Sequence, residues 1–396
     1  MFIGDGAWSW FADSRAVRYA GTHDRTYVGA VSAAGDVVVR SYDHDTGAVS
    51  EGVVHAALGV NDHANPSVRI TSDGKIQAFY SDHNGGTMFV RTTSSAEDIS
   101  AWGDEAELGV DGPFTYPNVA SLSDRVVLHW RQGNSTTRPA FYRESTDDGA
   151  TWTSGTQKLY EVSGEIPYLK AAKDPSSDRI DYVVTDGHPQ FVTTSSIYHF
   201  YRGADGSFYK SDGTLIGTAA VLPLNETDIT KVWDGTSNSA AGWQWDIAHD
   251  AGGNPLILFA KITAPDLDTS DHKMMYARWS GSAWAVTEVA EMGGTIAPGE
   301  TEPAYSAGGA IDPENVDRVW LSKESESGTV AHIWEYTTDD SGATWSGTNR
   351  TPGSLQENIR PYVPRNRHPP LAVLFLRGRN EHYTIYDTAI VALSIE

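Results

Sequence analysis

The feature that most limits what this chain can fold into is a recurrence. Asn65-Pro66-Ser67-Val68, Tyr116-Pro117-Asn118-Val119 and Pro167-Tyr168-Leu169-Lys170 each open a run of alternating character, and their prolines stand 51 and 50 residues apart. Trp245-Asp246-Ile247, Pro303-Ala304-Tyr305 and Pro361-Tyr362-Val363 continue the series at wider spacing. After each opening comes a turn signal, such as Ser72-Asp73-Gly74 or Asp250-Ala251-Gly252-Gly253, and then a second short strand. Runs such as Lys75–Tyr80 and Asp124–His129 alternate apolar and polar residues, as half-buried strands do. No stretch sustains a 3.6-residue apolar period, so helix content is expected to be very low. A β-repeat of about 50 residues is a propeller signature. The 396 residues accommodate seven such repeats.

The expected fold is therefore all-β: one seven-bladed β-propeller domain over 1–396, with four-stranded antiparallel blades. A first blade is expected near Thr26–Ser50, and Trp8-Ser9-Trp10-Phe11 is the expected strand that joins the last blade and closes the ring. Two stacked β-sandwiches are the competing architecture, but they leave the period unexplained.

Composition narrows the classes. Thirteen Trp, 18 Tyr and 11 Phe supply core material that a disordered chain lacks. The longest apolar run is Leu371–Leu376, far short of the roughly 20 residues of a membrane-spanning helix. The absence of cysteine excludes disulfides, zinc–thiolate sites and a cysteine nucleophile. A net charge of −23 argues against a nucleic-acid partner and suits a protein kept soluble and monomeric by self-repulsion. Met1–Gly6 lacks the basic and apolar regions of a signal peptide. Localisation is expected to be extracellular, with a leader removed, on the functional grounds below.

Two segments sharpen the fold. Ser145-x-Asp147-x-Gly149-x-x-Trp152 resembles the Asp-box of sialidase-type propellers. Thr337–Trp345 repeats it with one extra residue. An Asp side chain caps the turn, Gly takes positive φ and Trp packs beneath. This is a folding device and carries no catalytic information.

The chemistry-bearing residues gather at strand ends. His63 lies just before the first strand of the second blade, and His83 just after the next strand, 20 residues on. In an up-and-down blade those two ends share an edge, so both histidines are expected at one mouth of the ring. The plainer alternative is two surface histidines satisfied by Asp62 and Asp82. By the same reasoning Tyr116 opens the third blade and Arg131 ends its second strand, near His129. Arg138, Tyr142 and Arg143 follow; Tyr116 taken alone reads as a packing aromatic and Arg143 as a partner for Glu144. His188, in Gly187-His188-Pro189, occupies the corresponding loop of the fourth blade or is simply a turn residue. A basic island, Arg350–Arg379, holds six Arg against Glu357. A charge run is usually a solvated face, but Arg360 and Arg365 are also suited to grip carboxylate or sulfate.

His, Tyr and Arg together, with no thiol and no cofactor required, suit β-elimination across a uronic acid. Cationic groups neutralise the carboxylate so that charge can delocalise as the C5 proton leaves. A Tyr or His takes that proton, and an acid protonates O4.

At this level the chain resembles the BNR-repeat seven-bladed polysaccharide lyases, in particular the propeller ulvan lyases. The residues that carry the resemblance are Asp62-His63-Ala64-Asn65-Pro66, Tyr80-Ser81-Asp82-His83, Thr115-Tyr116-Pro117 with Trp130-Arg131, Tyr142–Asp147, Gly187-His188-Pro189, Tyr198–Arg202, Tyr209–Gly213, Asp271–Arg278 and Arg377–Arg379 through Tyr386–Thr388. The resemblance implies cleavage of a sulfated, uronate-containing polysaccharide. It implies His63, His83, Tyr116 and Arg131 as catalytic residues, with His129, Tyr142, Arg143, His188, Arg360 and Arg365 around the substrate. Tyr142 and Arg143 also fit the pattern of the Tyr and Arg. Some relatives hold a structural metal with a Cys ligand; this chain has no Cys, so its metal ligands are unknown. Two other functions stand beside the lyase. A sialidase-type hydrolase would release sialic acid, but the early Phe-Arg-Ile-Pro segment is replaced by Trp10-Phe11-Ala12-Asp13. A non-catalytic sugar-binding propeller would give no product at any pH.

Overall fold

The computed structural model describes residues 1–109, 112–263, 271–296, 303–324 and 330–395. The chain is an all-β seven-bladed propeller built from antiparallel, four-stranded sheets that succeed one another along the sequence. The first sheet pairs Ala16–Ala20, Asp24–Val31, Val37–Asp43 and Val49–His55 in chain order. The second begins with Ser67–Ile70, Ile76–Tyr80 and Met88–Ser95, and the third with Phe114–Ser121, Val126–Gln132 and Ala140–Ser145. The second and fourth sheets exceed four strands, with five and six. Among the described residues the only α-helix is the short Gly235–Asn238, accompanied by two 3-10 turns.

The chain divides into two compact units. One comprises Met1–Asn134, Tyr142–Thr156 and Tyr362–Glu396; the other comprises Ser135–Phe141 and Gln157–Pro361. In the first, Tyr27, Val37, Val39 and Val54 pack with Val68, Ile76, Ala78 and Tyr80 of the next sheet. In the second, Val183 and Ile197 pack with Ile247, Ile257, Phe259 and Met275. Each such aliphatic or aromatic side chain contributes about 1.5–3 kcal/mol when fully buried. Second strands are covered on both faces: every residue of Ile76–Tyr80 and of Ile180–Thr185 is buried. Outer strands alternate, as in Val49–His55.

The strand that completes the last sheet is Phe2–Asp5, which pairs with Ile385–Ser394, Phe2 opposite Val391 and Asp5 opposite Ala389. It is not Trp8–Phe11, as expected from the aromatic run. Trp8, Ser9, Trp10 and Phe11 are all buried. Its backbone is engaged elsewhere, Ser9 donating its N–H to the Asp62 carbonyl and the Asn65 side chain, and the segment serves as core. The first sheet also starts earlier than expected, at Ala16.

Both Asp turns form the same hydrogen-bond circuit. Asp147 accepts from the Ser145 hydroxyl at 2.8 Å and the Thr151 N–H at 2.8 Å, while Ser145 accepts from the Gly149 N–H. Asp340 does likewise with Thr338 and Thr344, and Thr338 with Gly342. These bonds hold both carboxyls down at about 2. The second turn starts at Thr338, so it matches the first with no extra residue. Trp152 packs edge-on against Phe79 of the preceding sheet, and Trp345 against Tyr276. Each turn thereby fastens its own sheet to the one before.

Candidate active site

The site lies within the first unit. It is assembled from four segments held in place by their own backbone hydrogen bonds.

His63 sits in a single 3-10 turn, Asp62–Ala64, capped by the Asn61 side chain, which accepts from the His63 N–H at 3.1 Å. The turn is pinned on two sides. Asp62 donates its N–H to the Tyr383 carbonyl at 2.8 Å, and Ser9 donates to the Asp62 carbonyl at 2.9 Å and to the Asn65 side chain at 3.0 Å. The Asp62 carboxylate is fully buried and lies 2.6 Å from His63 Nδ1. That contact fixes the ring and directs Nε2 away from Asp62, the carboxylate–imidazole arrangement of many acid–base sites.

His83 follows the strand Ile76–Tyr80 on a tight loop. Asn84 has φ of 57°, its N–H donates to Thr115 Oγ1 at 3.1 Å, and the Phe114 N–H donates to the Gly85 carbonyl at 2.8 Å. The loop is thus riveted to the strand that carries Tyr116. The His83 ring stacks on His63 with centroids 4.4 Å apart.

Tyr116 occupies a β-bulge: the register of Phe114–Ser121 against Val126–Gln132 shifts between Thr115 and Asn118. Its φ is 61°, a left-handed value that costs a non-glycine residue about 1–2 kcal/mol. The Asn118 side chain donates to the Tyr116 carbonyl at 3.1 Å and to the Phe11 carbonyl at 2.6 Å, and the Phe11 ring lies 5.0 Å from that of Tyr116. The bulge turns the phenol toward the histidines, 5.4 Å from His63 and 6.4 Å from His83. Arg131, opposite Thr115 in the register, places its guanidinium 4.6 Å over the Tyr116 ring.

Tyr383 belongs to none of the sequence motifs above. It lies at the tip of the hairpin between Leu371–His382 and Ile385–Ser394, and its ring stands 4.7 Å from His63 and 5.2 Å from His83. His382 in turn packs on Tyr383 at 3.8 Å. His63, Tyr116 and Arg131 are nearly enclosed, and His83 is half-buried. Interactions here act in a low-dielectric setting and are strengthened accordingly.

The other candidates are placed differently. His129 is wholly enclosed, with Nδ1 3.1 Å from the Asn118 carbonyl and its ring 6.2 Å from Tyr142. The pair braces the strand beneath Arg131. Arg143 lies on the opposite face of the same sheet, because adjacent strand residues alternate and Tyr142 already faces His129. His188 belongs to the second unit, among Tyr168, Phe191 and Trp243 at 5.0–5.3 Å. Arg360, also in the second unit, is 1% exposed with φ of 51°, and its N–H donates to the Ala307 carbonyl at 2.7 Å. Arg365 is half-buried and its backbone bonds to Ala16 and Arg18. Elsewhere in the basic island, Arg350 is committed to Glu335 and Arg379 to Glu381.

Among the described residues no group of three or more His, Asp or Glu side chains could hold a metal ion. With no cysteine either, the described residues do not fit a Cys-containing metal site. Among the described residues no helix is long and apolar enough to cross a membrane.

Comparison with known proteins agrees with this architecture. The solved structure of a family 25 polysaccharide lyase, an ulvan lyase, superposes with a TM-score of 0.77 at 16% identity, covering 99% of this chain and 95% of that one. A family 25 ulvan lyase bound to -[GlcA(1-4)Rha3S]- gives a TM-score of 0.74 at 16% identity, covering 99% of this chain and 95% of that one. Polysaccharide lyase Uly1 gives 0.62 at 13% identity, covering 100% of this chain and 92% of that one. No curated protein matches the sequence. A profile of BNR repeat-containing family members matches residues 25–292, more than half of the chain, and the protein belongs to that family.

Proposed function

We propose that the protein is a polysaccharide lyase that cleaves a sulfated, uronate-containing polymer of the ulvan type by β-elimination. The observation that carries this reading is the convergence of His63, His83, Tyr116 and Arg131 in one nearly enclosed cluster, with Asp62 behind His63. The ulvan lyases of similar fold, one of them bound to a uronate–rhamnose-3-sulfate polymer, favour the same chemistry.

In this mechanism the uronate carboxylate sits against the two imidazoles. The stacked rings present their N–H groups to that carboxylate and neutralise it as donors. That neutralisation lowers the cost of the charge that develops as the C5–H bond breaks. Tyr116, as phenolate, takes the C5 proton, with the Arg131 guanidinium 4.6 Å over its ring. The C5–H electron pair forms the C4–C5 double bond, the C4–O4 bond breaks, and O4 recovers a proton from Tyr116. No oxidant, metal or thiol enters the balance. On this reading the protein works outside the cell, where such a polymer occurs.

The experiment is incubation of the purified protein with ulvan, read by the ultraviolet band of the unsaturated uronate. Growth of that band supports the lyase. Depolymerisation without it points to a hydrolase, and binding without depolymerisation to a sugar-binding module.

A further inference from the structure

The third sheet presents a second face with its own chemistry. His129 and Arg131 point toward the tyrosine cluster, so Trp130 and Gln132 point away, and the Trp130 indole N–H donates to the Gln132 side chain at 3.0 Å. Arg143 lies on this second face. It lines a cavity of about 460 Å³ walled by Leu108 and Phe114. Gln132, Ser154 and Thr156 add polar groups to the lining, and exposed Glu107 stands at the rim.

Arg143 is unusual in an acidic protein. Among the described residues its guanidinium makes one hydrogen bond, from Nη1 to the Leu108 carbonyl, and no ion pair. Its Nε is shut off from solvent with no hydrogen-bond partner. The neighbouring Glu144 is paired with Arg125, at 3.3 Å. Burial pushes the Arg143 guanidinium below its ordinary value, and no anion beside it offsets the shift. A partly desolvated guanidinium without a counter-charge costs free energy unless an anion completes it. Its planar fork suits a carboxylate or a sulfate.

We propose that this cavity is a second anion site, which takes a sulfate ester or carboxylate carried on a sugar and is distinct from the His63–Tyr116 cluster. Arg143 supplies the charge, Gln132 and the two hydroxyls orient the oxyanion, and Glu107 weakens the site by repulsion. Only the expectation that the anion is borne on a sugar rests on the lyase reading.

The test is isothermal titration of the full chain with rhamnose 3-sulfate and with methyl glucuronide, neither of which offers a bond for the lyase to cleave. The results therefore stand even if the protein proves not to be a lyase. Arg143→Gln should weaken one binding event about 10- to 100-fold, the usual loss for a hydrogen bond to a charged group. Glu107→Gln, on the exposed rim, should tighten the same event. The probe affected identifies the anion. Crystals soaked in selenate should show the ion beside Arg143 in the unaltered protein and not in Arg143→Gln. Isotherms unchanged by both substitutions overturn the proposal. A selenate peak without measurable affinity for either sugar means an adventitious ion only, and overturns it equally. If Arg143→Gln does not fold, the direction of the Glu107→Gln effect decides alone.

Discussion

Replacing Tyr116 by Phe removes one oxygen from the centre of the cluster and leaves the rest standing. The ring contacts with Phe11 at 5.0 Å and His63 at 5.4 Å persist, as does the Arg131 guanidinium 4.6 Å above the ring. The left-handed backbone at φ of 61° is the same for Tyr and Phe, so the strain does not change. The cation–ring attraction, about 0.5–2 kcal/mol, is largely retained. The fold should therefore hold, with a Tm shift of no more than about 2 °C. Catalysis should not. If the phenolate abstracts the C5 proton and the phenol returns one to O4, its loss costs about 10²- to 10⁴-fold in kcat. That corresponds to about 3–5 kcal/mol of barrier. The assay is the initial rate of unsaturated-uronate formation from ulvan, with the melting curve of the same preparation. A folded Tyr116→Phe protein with near-normal kcat would refute the assignment and pass the role to His83 or Tyr383.

Asp62→Asn should lower kcat/KM by at least about 10-fold, the lower end of the loss when a carboxylate that orients a ligating histidine is removed, and His63→Ala should be at least as damaging; both are read in the uronate assay. The His272 imidazole is enclosed, with Nε2 3.0 Å from the Pro303 carbonyl, and burial pushes its pKa down to about 4. The unfolded chain binds that proton near 6.5, so it holds more protons between pH 6.5 and 4, and stability is lost as pH falls through that window, by about 3 kcal/mol at most; melting curves against pH should show this slope and His272→Gln should flatten it. With a net charge of −23 facing a polyanion, kcat/KM should rise as salt is added from low ionic strength, because screening removes repulsion; a steep fall measured over the same range would mean that local arginines dominate the encounter.

Much of this architecture is legible in the sequence because it is written in repeated local chemistry. Pro66, Pro117 and Pro167 recur at the first strands of three successive sheets, just before Ser67–Ile70, at the bulge inside Phe114–Ser121 and two residues before Leu169–Lys173. The Asp147 and Asp340 turns close their circuits within eight residues, so short-range composition suffices to find them. His63 and His83 could be paired in advance for a similar reason: strand ends in an antiparallel sheet share an edge, and 20 residues is one strand, one turn and one strand. The shift at Tyr116 is hinted at by Pro117, which cannot donate to a ladder and is tolerated at a bulge.

What escaped the sequence depends on reach and on parity. Tyr383 arrives at the histidines only because the hairpin that carries it is long, with strands Leu371–His382 and Ile385–Ser394. Nothing local to Tyr383 reports how far that hairpin extends, although a Tyr-Thr pair between two long alternating runs does mark its tip. Tyr142 and Arg143 both fit the resemblance, yet adjacency in a strand separates their side chains to opposite faces. Where both faces of a sheet are covered, hydrophobic alternation no longer says which face is which, and parity has to come from a partner such as His129. The basic island fails for a third reason. A count of arginines cannot see Glu335, 15 residues before Arg350, or the enclosure of Arg360. Charge in sequence becomes charge available to a ligand only after the pairing of every arginine is known, and by that measure Arg143, outside the island, is better placed to receive an anion than Arg350 within it.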